Sequence, residues 1–275
     1  MKSTVIFNGG LGNQLFQYAF MLYLRDRLYY QVDYDNSIYN MANIHEGFQA
    51  DEIFDFSSFA KSKRQLYSVI KVNKKLRNVW RSEKRILIGD DIAYYPKQYR
   101  YYVGYWQKAL YYESVQHEIK RSVKQLDRII GDVPMRSEIQ AANSVSLHIR
   151  RGDYISNSLY SDLAGTKYYE RAIMLMKERE RNVVFFIFSD DITWCREYLK
   201  SYDGIRFVEY ANQTAVKDLC LMAQCKNSII ANSSFSWWGA ALTEKANVLY
   251  PDQYYANTSA GDMYPKAWIK IKVKG

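Results

Sequence analysis

Long apolar runs are missing from this chain of 275 residues, although 48% of its residues are hydrophobic. No stretch approaches the roughly 18 consecutive apolar residues that a membrane-spanning helix needs. With 24% charged residues, the composition is that of a globular protein that buries a sizeable core. The length fits two domains of ordinary size.

Cysteine is scarce as well. The three cysteines, Cys195, Cys220 and Cys225, are an odd number, and their spacing matches no metal-binding motif. We interpret them as reduced, partly buried thiols, which are typical of a cytoplasmic protein. The expected localisation is therefore cytoplasmic.

Acidic residues are outnumbered by basic ones, 29 to 38, which gives a net charge of +9. The imbalance is local, because residues 61–85 contain ten Lys or Arg and the single acid Glu83. Aromatic and apolar residues are interleaved with these charges. Such a basic amphipathic segment favours an anionic membrane surface or nucleic acid as partner, and a solvated helix face is the alternative.

The apolar periodicity predicts a doubly wound α/β architecture with parallel strands. Residues 132–134 are the predicted link between a domain of residues 1–134 and a domain of residues 135–275. The predicted strands cover residues 4–8, 30–34, 144–149, 183–188, 205–209, 227–231 and 247–250, and the predicted helices cover residues 13–29, 167–181, 192–201, 214–225 and 235–245.

A strand end rich in arginine is the most informative feature. Arg150, Arg151, Gly152 and Asp153 follow the predicted strand 144–149, and ligands bind at the carboxyl ends of strands in open α/β sheets. Two adjacent guanidiniums repel each other unless an anion or carboxylate lies between them, and the guanidinium fork matches phosphate oxygens. The pattern indicates a pyrophosphate site. Alternatively, one arginine pairs with Asp153 and the other is solvated.

A glycine-rich turn follows the first strand. Gly10 and Gly12 form half of a dinucleotide-binding fingerprint, and Asp33 lies about 20 residues further on. Leu15 occupies the third glycine position, which weakens this match to a nicotinamide-dependent oxidoreductase. Asp33 and Asp35 also form a D-x-D pattern, which we interpret as a strand end and turn rather than a metal site.

Two further polar loops follow predicted strands. Asp190 and Asp191 follow the strand 183–188 and are suited to binding a metal, capping the next helix or pairing with guanine. The loop after strand 227–231 opens a helix with hydroxyls and an amide, a pattern typical of a phosphate site. Trp237 and Trp238 are expected to pack that helix rather than to stack on a base.

Taken together, residues 9–19, 148–154, 188–191 and 232–239 resemble the bacterial α-1,2-fucosyltransferases of glycosyltransferase family 11. The resemblance implies a GT-B fold, with two Rossmann-like domains and the active site in the cleft between them. The first domain would lie on the acceptor side and the second would bind GDP-fucose. It further implies inverting transfer of L-fucose from GDP-β-L-fucose to the 2-hydroxyl of a galactoside, without a metal or another cofactor.

The resemblance also implies roles for individual residues. Arg150 would hold the β-phosphate, His148 would contact the nucleoside or support Arg150, and Asp191 would pair with guanine. Asn13 would lie near the fucose and the acceptor. The general base is less evident, and Asp153 is one candidate. The predicted catalytic residues are Arg150, Asn13 and Asp153, and the predicted donor-binding residues are Gly10, Gly12, His148, Arg150, Arg151, Ser189, Asp190, Asp191, Asn232, Ser233, Ser234, Phe235 and Ser236.

The chemistry of the implied reaction agrees with these residue types. A departing GDP must have its negative charge neutralised, and arginines and helix N-termini supply that stabilisation. The predicted partners are therefore GDP-fucose and a galactoside acceptor, with peripheral contact to an anionic membrane through residues 61–85 and no nucleic acid. An NAD-dependent oxidoreductase and a basic nucleic-acid-binding protein are the alternative functions.

Overall fold

The computed structural model describes residues 1–41, 46–62, 78, 81, 85–89, 92, 97–152, 159–256 and 258–274. The chain divides into two compact units, residues 1–124 and residues 125–275. In the described part of the chain, no helix is both long enough and apolar enough to cross a membrane.

The first unit is built on a parallel sheet. Its described strands lie in the order β3-β2-β1-β5-β4, and each neighbouring pair is parallel. The strands are β1 (Lys2–Ile6), β2 (Gln31–Asp35), β3 (Ala60–Lys61), β4 (Ile86–Ile88) and β5 (Tyr101–Val103). The helices are α1 (Leu11–Asp26), α2 (Ile38–Met41), α3 (Ala50–Ile53), α4 (Ala109–Ser114) and α5 (Gln116–Ser122).

Helix α1 supplies much of the core of this unit. Leu15, Phe16, Ala19 and Phe20 are fully buried, because the apolar residues recur at helical spacing and face the sheet. Phe20 stacks on Trp106 with ring centroids 4.0 Å apart. The predicted elements 4–8, 13–29 and 30–34 are therefore present with their ends shifted by a few residues.

The second unit contains a larger parallel sheet. Its main described strands lie in the order β13-β10-β9-β6-β7-β8, with every neighbouring pair parallel. The strands are β6 (Asn143–Ile149), β7 (Val183–Ser189), β8 (Ile205–Phe207), β9 (Asn227–Ile229), β10 (Val248–Pro251) and β13 (Ile269–Ile271), with a small antiparallel pair of β11 (Gln253–Tyr255) and β12 (Thr258–Ser259). The helices are α6 (Leu126–Ile130), α7 (Met135–Ala141), α8 (Tyr168–Arg179), α9 (Ile192–Tyr198), α10 (Ala215–Gln224) and α11 (Ser234–Ala241), with a 3₁₀ turn at Leu163–Gly165.

Each sheet has one point where the strand order reverses. In the first unit the chain runs from β1 outward to β2 and β3, whereas β5 and β4 lie on the other side of β1. In the second unit it runs from β6 to β7 and β8, whereas β9 and β10 lie on the other side of β6. Ligands bind at such switch points, outside the carboxyl ends of the strands. The candidate loops are therefore those after β1 and β5, and those after β6 and β9.

The two units divide after residue 124 rather than after the predicted residue 134. The reason is the packing of α6 and α7 against α10 of the second unit. Gln224 Nε2 donates to Asp127 Oδ1 at 2.6 Å, and Arg136 pairs with the same carboxylate at 2.7 Å. The predicted link, residues 132–134, consequently lies inside the second unit. Contacts between residues distant in sequence set this boundary, so local composition did not reveal it.

Helices α10 and α11 pack closely through Gly239. A Cβ atom at this position would lie 2.9 Å from Met222 Cβ on the neighbouring helix. Both helices have buried apolar faces here, with Trp237 and Trp238 fully buried on α11. The glycine therefore sets the distance between α10 and α11, and α11 begins directly after the loop that follows β9.

Gly239→Ala is expected to lower the thermal unfolding midpoint. The added methyl group overpacks the helix contact, which typically costs about 1–3 kcal/mol and outweighs the ~1 kcal/mol that alanine gains over glycine in a helix. Thermal denaturation followed by circular dichroism measures the change. The double variant Gly239→Ala/Met222→Gly should lose less than the sum of the single variants, because it removes the Cβ atom that the added methyl group would meet. An unchanged midpoint in Gly239→Ala would contradict the close packing.

Candidate functional site

Asp190 connects the loops that follow β6 and β7. Its Oδ2 forms an ion pair with Arg150 Nη1 at 2.8 Å, and its Oδ1 accepts a hydrogen bond from the Arg151 backbone N–H at 2.9 Å. A Cβ atom at Gly152 would lie 2.6 Å from Asp190 Oδ2. The glycine thus allows the carboxylate to approach the turn, and the carboxylate fixes both the side chain and the backbone of the arginine pair.

Arg151 has a different environment from its neighbour. Its guanidinium carbon lies 3.7 Å from the centre of the Trp194 ring, and its Nε lies 4.0 Å from Asp191 Oδ2. Asp191 Oδ1 also accepts from the Trp194 backbone N–H at 3.0 Å and so caps α9. The two guanidiniums therefore point to separate partners, which reduces their mutual repulsion. Only the side chain of Arg150 is substantially accessible, with about 35% of its surface exposed against 15% for Arg151.

His148 lies beneath this pair in the interior. It is 4% exposed, its ring centroid lies 5.6 Å from that of Phe235, and its Nδ1 has no hydrogen-bond partner in the described structure. Burial, and then the neighbouring Arg150 guanidinium, lower the pKa of His148 to about 3. The imidazole is consequently neutral at physiological pH, so it does not add to the positive charge of the arginines.

The loop after β9 turns several predicted donor-binding side chains inward. Asn232 Nδ2 donates to the carbonyls of Ser161 and Tyr254, at 3.1 and 2.8 Å. Ser233 caps α11 by accepting from the Phe235 N–H. These side chains shape the loop, as does Ser236, whose hydroxyl accepts from the Ala231 N–H at 3.2 Å. Ser234 and Phe235 remain half-buried at the N-terminus of α11, and the N-terminus of a helix attracts anions.

In the first unit, the buried side chain of Gln14 holds the glycine-rich loop. Gln14 Nε2 donates to the carbonyls of Gly9 and Gly47, and Gln14 Oε1 accepts from the N–H groups of Gln49 and Ala50. The loop begins α1 at Gly10, which has an extended conformation, and no side chain caps this helix. Gly12 lies buried in the first turn of α1. Asn13, one residue further on, accepts from Gln107 Nε2 at 2.6 Å.

Each residue of the D-x-D pattern has a partner within the protein. Asp33 pairs with Lys2 at 3.0 Å, and Asp35 accepts from the Ser37 N–H at 2.8 Å at the end of β2. Within the described ranges, no group of three or more His, Cys, Asp or Glu is arranged to hold a metal ion. Asp153, the candidate base, lies outside the described residues, and so does most of the basic segment 61–85.

Sequence reasoning missed two contributors to these sites. Trp194 lies in a helix whose sequence contains no binding motif, and only the fold places its ring against the Arg151 guanidinium. The loop of residues 104–107 follows β5, a strand of three residues in a stretch with irregular patterning. Trp106 and Gln107 were the residues in this loop that could have indicated a binding site, but these residue types also occur in many loops that bind no ligand.

The comparison with known proteins decides the family. The model of glycosyl transferase family 11 matches residues 1–272. The chain belongs to glycosyl transferase family 11.

Relatives and solved structures agree with this membership. The family 11 protein is 32% identical to an α-1,2-colitosyltransferase of Escherichia coli, over 96% of this chain and 97% of that one. It is 28% identical to the mouse galactoside 2-α-L-fucosyltransferase Sec1, over 54% of this chain and 43% of that one. The structure of NodZ α-1,6-fucosyltransferase from Bradyrhizobium with GDP matches with a TM-score of 0.54 and 14% identity, covering 88% of this chain and 93% of that one. The predicted GT-B fold is confirmed at the level of its two parallel α/β units.

The buried histidine predicts a pH dependence of stability in this family 11 protein. His148 has a pKa of about 3 when folded, whereas an unfolded histidine titrates near pH 6.5, so the unfolded chain binds more protons between these values. The contribution of His148 is fully present above about pH 6.5 and is lost as the pH falls towards about 3. The thermal midpoint should therefore fall more steeply between pH 7 and pH 5 in the wild type than in His148→Gln.

The variant His117→Gln, which changes an exposed histidine in the first unit, is the matched control. It should follow the wild-type curve. If His148→Gln also followed that curve, a neutral buried imidazole at this position would be ruled out.

Proposed function

We propose that this family 11 protein transfers L-fucose from GDP-β-L-fucose to the 2-hydroxyl of a β-galactoside, with inversion at the fucose C1, in glycan synthesis. The observation that carries the proposal is the accessible Arg150 at the switch point of the second unit, in a chain matched by the family over residues 1–272. The name of the mouse relative and the GDP bound to NodZ support the choice of acceptor linkage and nucleotide.

The second unit supplies groups suited to the departing diphosphate. As the bond between the fucose C1 and the β-phosphate oxygen breaks, negative charge develops on GDP. The Arg150 fork donates to the phosphate oxygens, and the N-terminus of α11 at Ser234 adds a positive partial charge. Asp190 acts as a positioning residue, because it holds Arg150 without itself being a phosphate ligand.

The acceptor must lose a proton as its 2-hydroxyl oxygen bonds to C1. Asp153, two residues beyond Arg151, is the sequence-based candidate to take that proton, and the departing phosphate is the alternative. The reaction then yields an α-fucoside, GDP and one proton, so no redox partner is needed.

We also propose that the protein works in the cytoplasm and contacts anionic membrane through residues 61–85, an inference from the charge of that segment.

Removing the Arg150 guanidinium, which we propose binds the departing diphosphate, should abolish most of the turnover. We expect Arg150→Ala to reduce kcat by about 10²–10³, the usual effect of losing one such donor. Arg150→Lys should also have a strongly reduced kcat, because an ammonium does not replace a guanidinium fork. Steady-state kinetics with purified enzyme of wild-type thermal stability measures both. Turnover close to the wild-type value in Arg150→Ala would rule out this role of Arg150.

A double-mutant cycle tests whether Asp190 acts through Arg150. Asp190→Ala should reduce kcat in the wild-type background but have little further effect in Arg150→Ala, because the group that it positions is already missing. Additive losses would instead indicate that Asp190 contacts the donor directly. Glu209→Ala, which breaks the exposed ion pair with Arg196, is the matched control and should leave kcat unchanged.

The donor sugar has a second candidate. The colitosyltransferase relative, at 32% identity, favours GDP-colitose, in which the sugar lacks the 3-hydroxyl of fucose. A comparison of kcat/KM for the two GDP-sugars with lactose as acceptor decides between them. A higher value for GDP-fucose supports the proposal, and transfer of colitose alone would replace it.

Transfer should persist when divalent cations are removed. The candidate metal-binding carboxylates have other partners: Asp33 pairs with Lys2, Asp190 with Arg150, and Asp191 caps α9. We therefore expect an unchanged initial rate of fucose transfer in excess EDTA. Loss of activity that Mn²⁺ or Mg²⁺ restores would show that these carboxylates, or others, bind a catalytic metal.

A further inference from the structure

The switch point of the first unit brings a second loop beside the glycine-rich loop. Strand β5 lies next to β1 in parallel register, so residues 104–107 emerge at the same edge as residues 8–10. Gln17 joins the two loops, because its Oε1 accepts from the Asn8 N–H at 3.1 Å and its Nε2 donates to the Gly104 carbonyl at 2.8 Å. The two loops are therefore held as one polar surface at the position where α/β sheets bind ligands.

The second loop has a strained backbone at Trp106. This residue has a φ of 58°, a left-handed conformation that is unfavourable for a bulky side chain. Its ring is fully buried and stacks on Phe20, so core packing maintains the conformation. Strain of this kind clusters at ligand-binding sites. Its effect here is to place the residues on either side of Trp106 at the surface.

Those two neighbours converge on the start of α1. Tyr105 is 39% exposed, and a Cβ atom built on Gly9 would lie 3.0 Å from its ring and 2.7 Å from Asn13 Nδ2. Gln107 Nε2 donates to Asn13 Oδ1 through the 2.6 Å hydrogen bond. Because Gly9 has a φ of 81° and no Cβ atom, the Tyr105 ring and the Asn13 amide approach its backbone more closely than a side chain there would allow.

The paired amides retain hydrogen-bonding capacity. Gln107 Nε2 and Asn13 Oδ1 bond to each other, which leaves the Gln107 carbonyl oxygen and the Asn13 amide nitrogen without a protein partner among the described residues. Exchanging nitrogen and oxygen in both amides gives the same result, so one donor and one acceptor remain in either case. A sugar hydroxyl both donates and accepts, and an adjacent aromatic ring offers an apolar face to the C–H side of a pyranose.

We propose that Tyr105, Gln107 and Asn13 form the subsite for the acceptor saccharide. The three side chains are uncharged, which suits a neutral pyranose better than the diphosphate of the donor. Tyr105 and Gln107 are then specificity-determining residues, and Trp106 is a positioning residue for both. The inference rests on the proposed function, because it assumes that the protein uses a sugar acceptor.

The test is a kinetic comparison at saturating GDP-fucose with a β-galactoside as the varied substrate. Gln107→Ala and Tyr105→Ala should each raise the acceptor KM about three- to tenfold, the effect of one uncharged hydrogen bond or ring contact. The donor KM and the affinity for GDP should not change. Tyr105→Phe should keep an acceptor KM near the wild-type value, because it retains the ring.

Two exposed residues of the same unit provide controls. Gln116→Ala and Tyr29→Ala should leave both KM values unchanged. An unchanged acceptor KM in Gln107→Ala and Tyr105→Ala would overturn the subsite. So would a rise in donor KM that equals the rise in acceptor KM, since it would assign these residues to the donor.

A binding measurement separates this inference from the proposed function. Saturation-transfer NMR with methyl β-galactoside, in the presence of GDP, reports acceptor binding without turnover. Binding by the wild type that Gln107→Ala loses supports the subsite, even if fucose is not the sugar transferred. Equal binding by both proteins, or no binding by a wild type that still binds GDP, would overturn it.

Discussion

The direction of the strands in the two parallel sheets is the constraint on which both sites depend. Parallel strands place all their carboxyl ends on one edge, and each sheet reverses its strand order once, between β1 and β5 and between β6 and β9. Connections that leave in opposite directions open a crevice at that point. The polar loops of the chain follow these four strands and β7, so the fold collects them into two surfaces, one in each unit.

Electrostatic balance then shapes the surface of the second unit. Adjacent guanidiniums at Arg150 and Arg151 would repel each other, but each has a separate partner. Asp190 holds the accessible arginine, whereas Trp194 covers the other. The neutral state of His148, which follows from its burial, avoids a third positive charge below them. Asp190 thus fixes the orientation of Arg150, and under the proposed phosphate-binding role this lowers the reorganisation that a bound transition state requires.

Neutral amides perform the corresponding role in the first unit. Gln14 and Gln17 lie buried in α1 and bond to loops far away in sequence. They satisfy backbone groups that the loops would otherwise leave unpaired in the interior. Part of the family-like segment at residues 9–19 therefore serves the shape of the loops, and Asn13 is the residue of that segment for which we propose a ligand contact.

The sequence by itself determined the parallel α/β architecture, because alternating strands, helical periodicity and polar turns are local patterns. It also placed Arg150, Asp190 and the loop after β9 at strand ends. Only the tertiary structure decided which side chains meet. Asp190 and Arg151 are 39 residues apart, and Asn13 and Gln107 are 94 apart. Such pairs depend on strand order and on the packing that strains Trp106, neither of which a local pattern encodes.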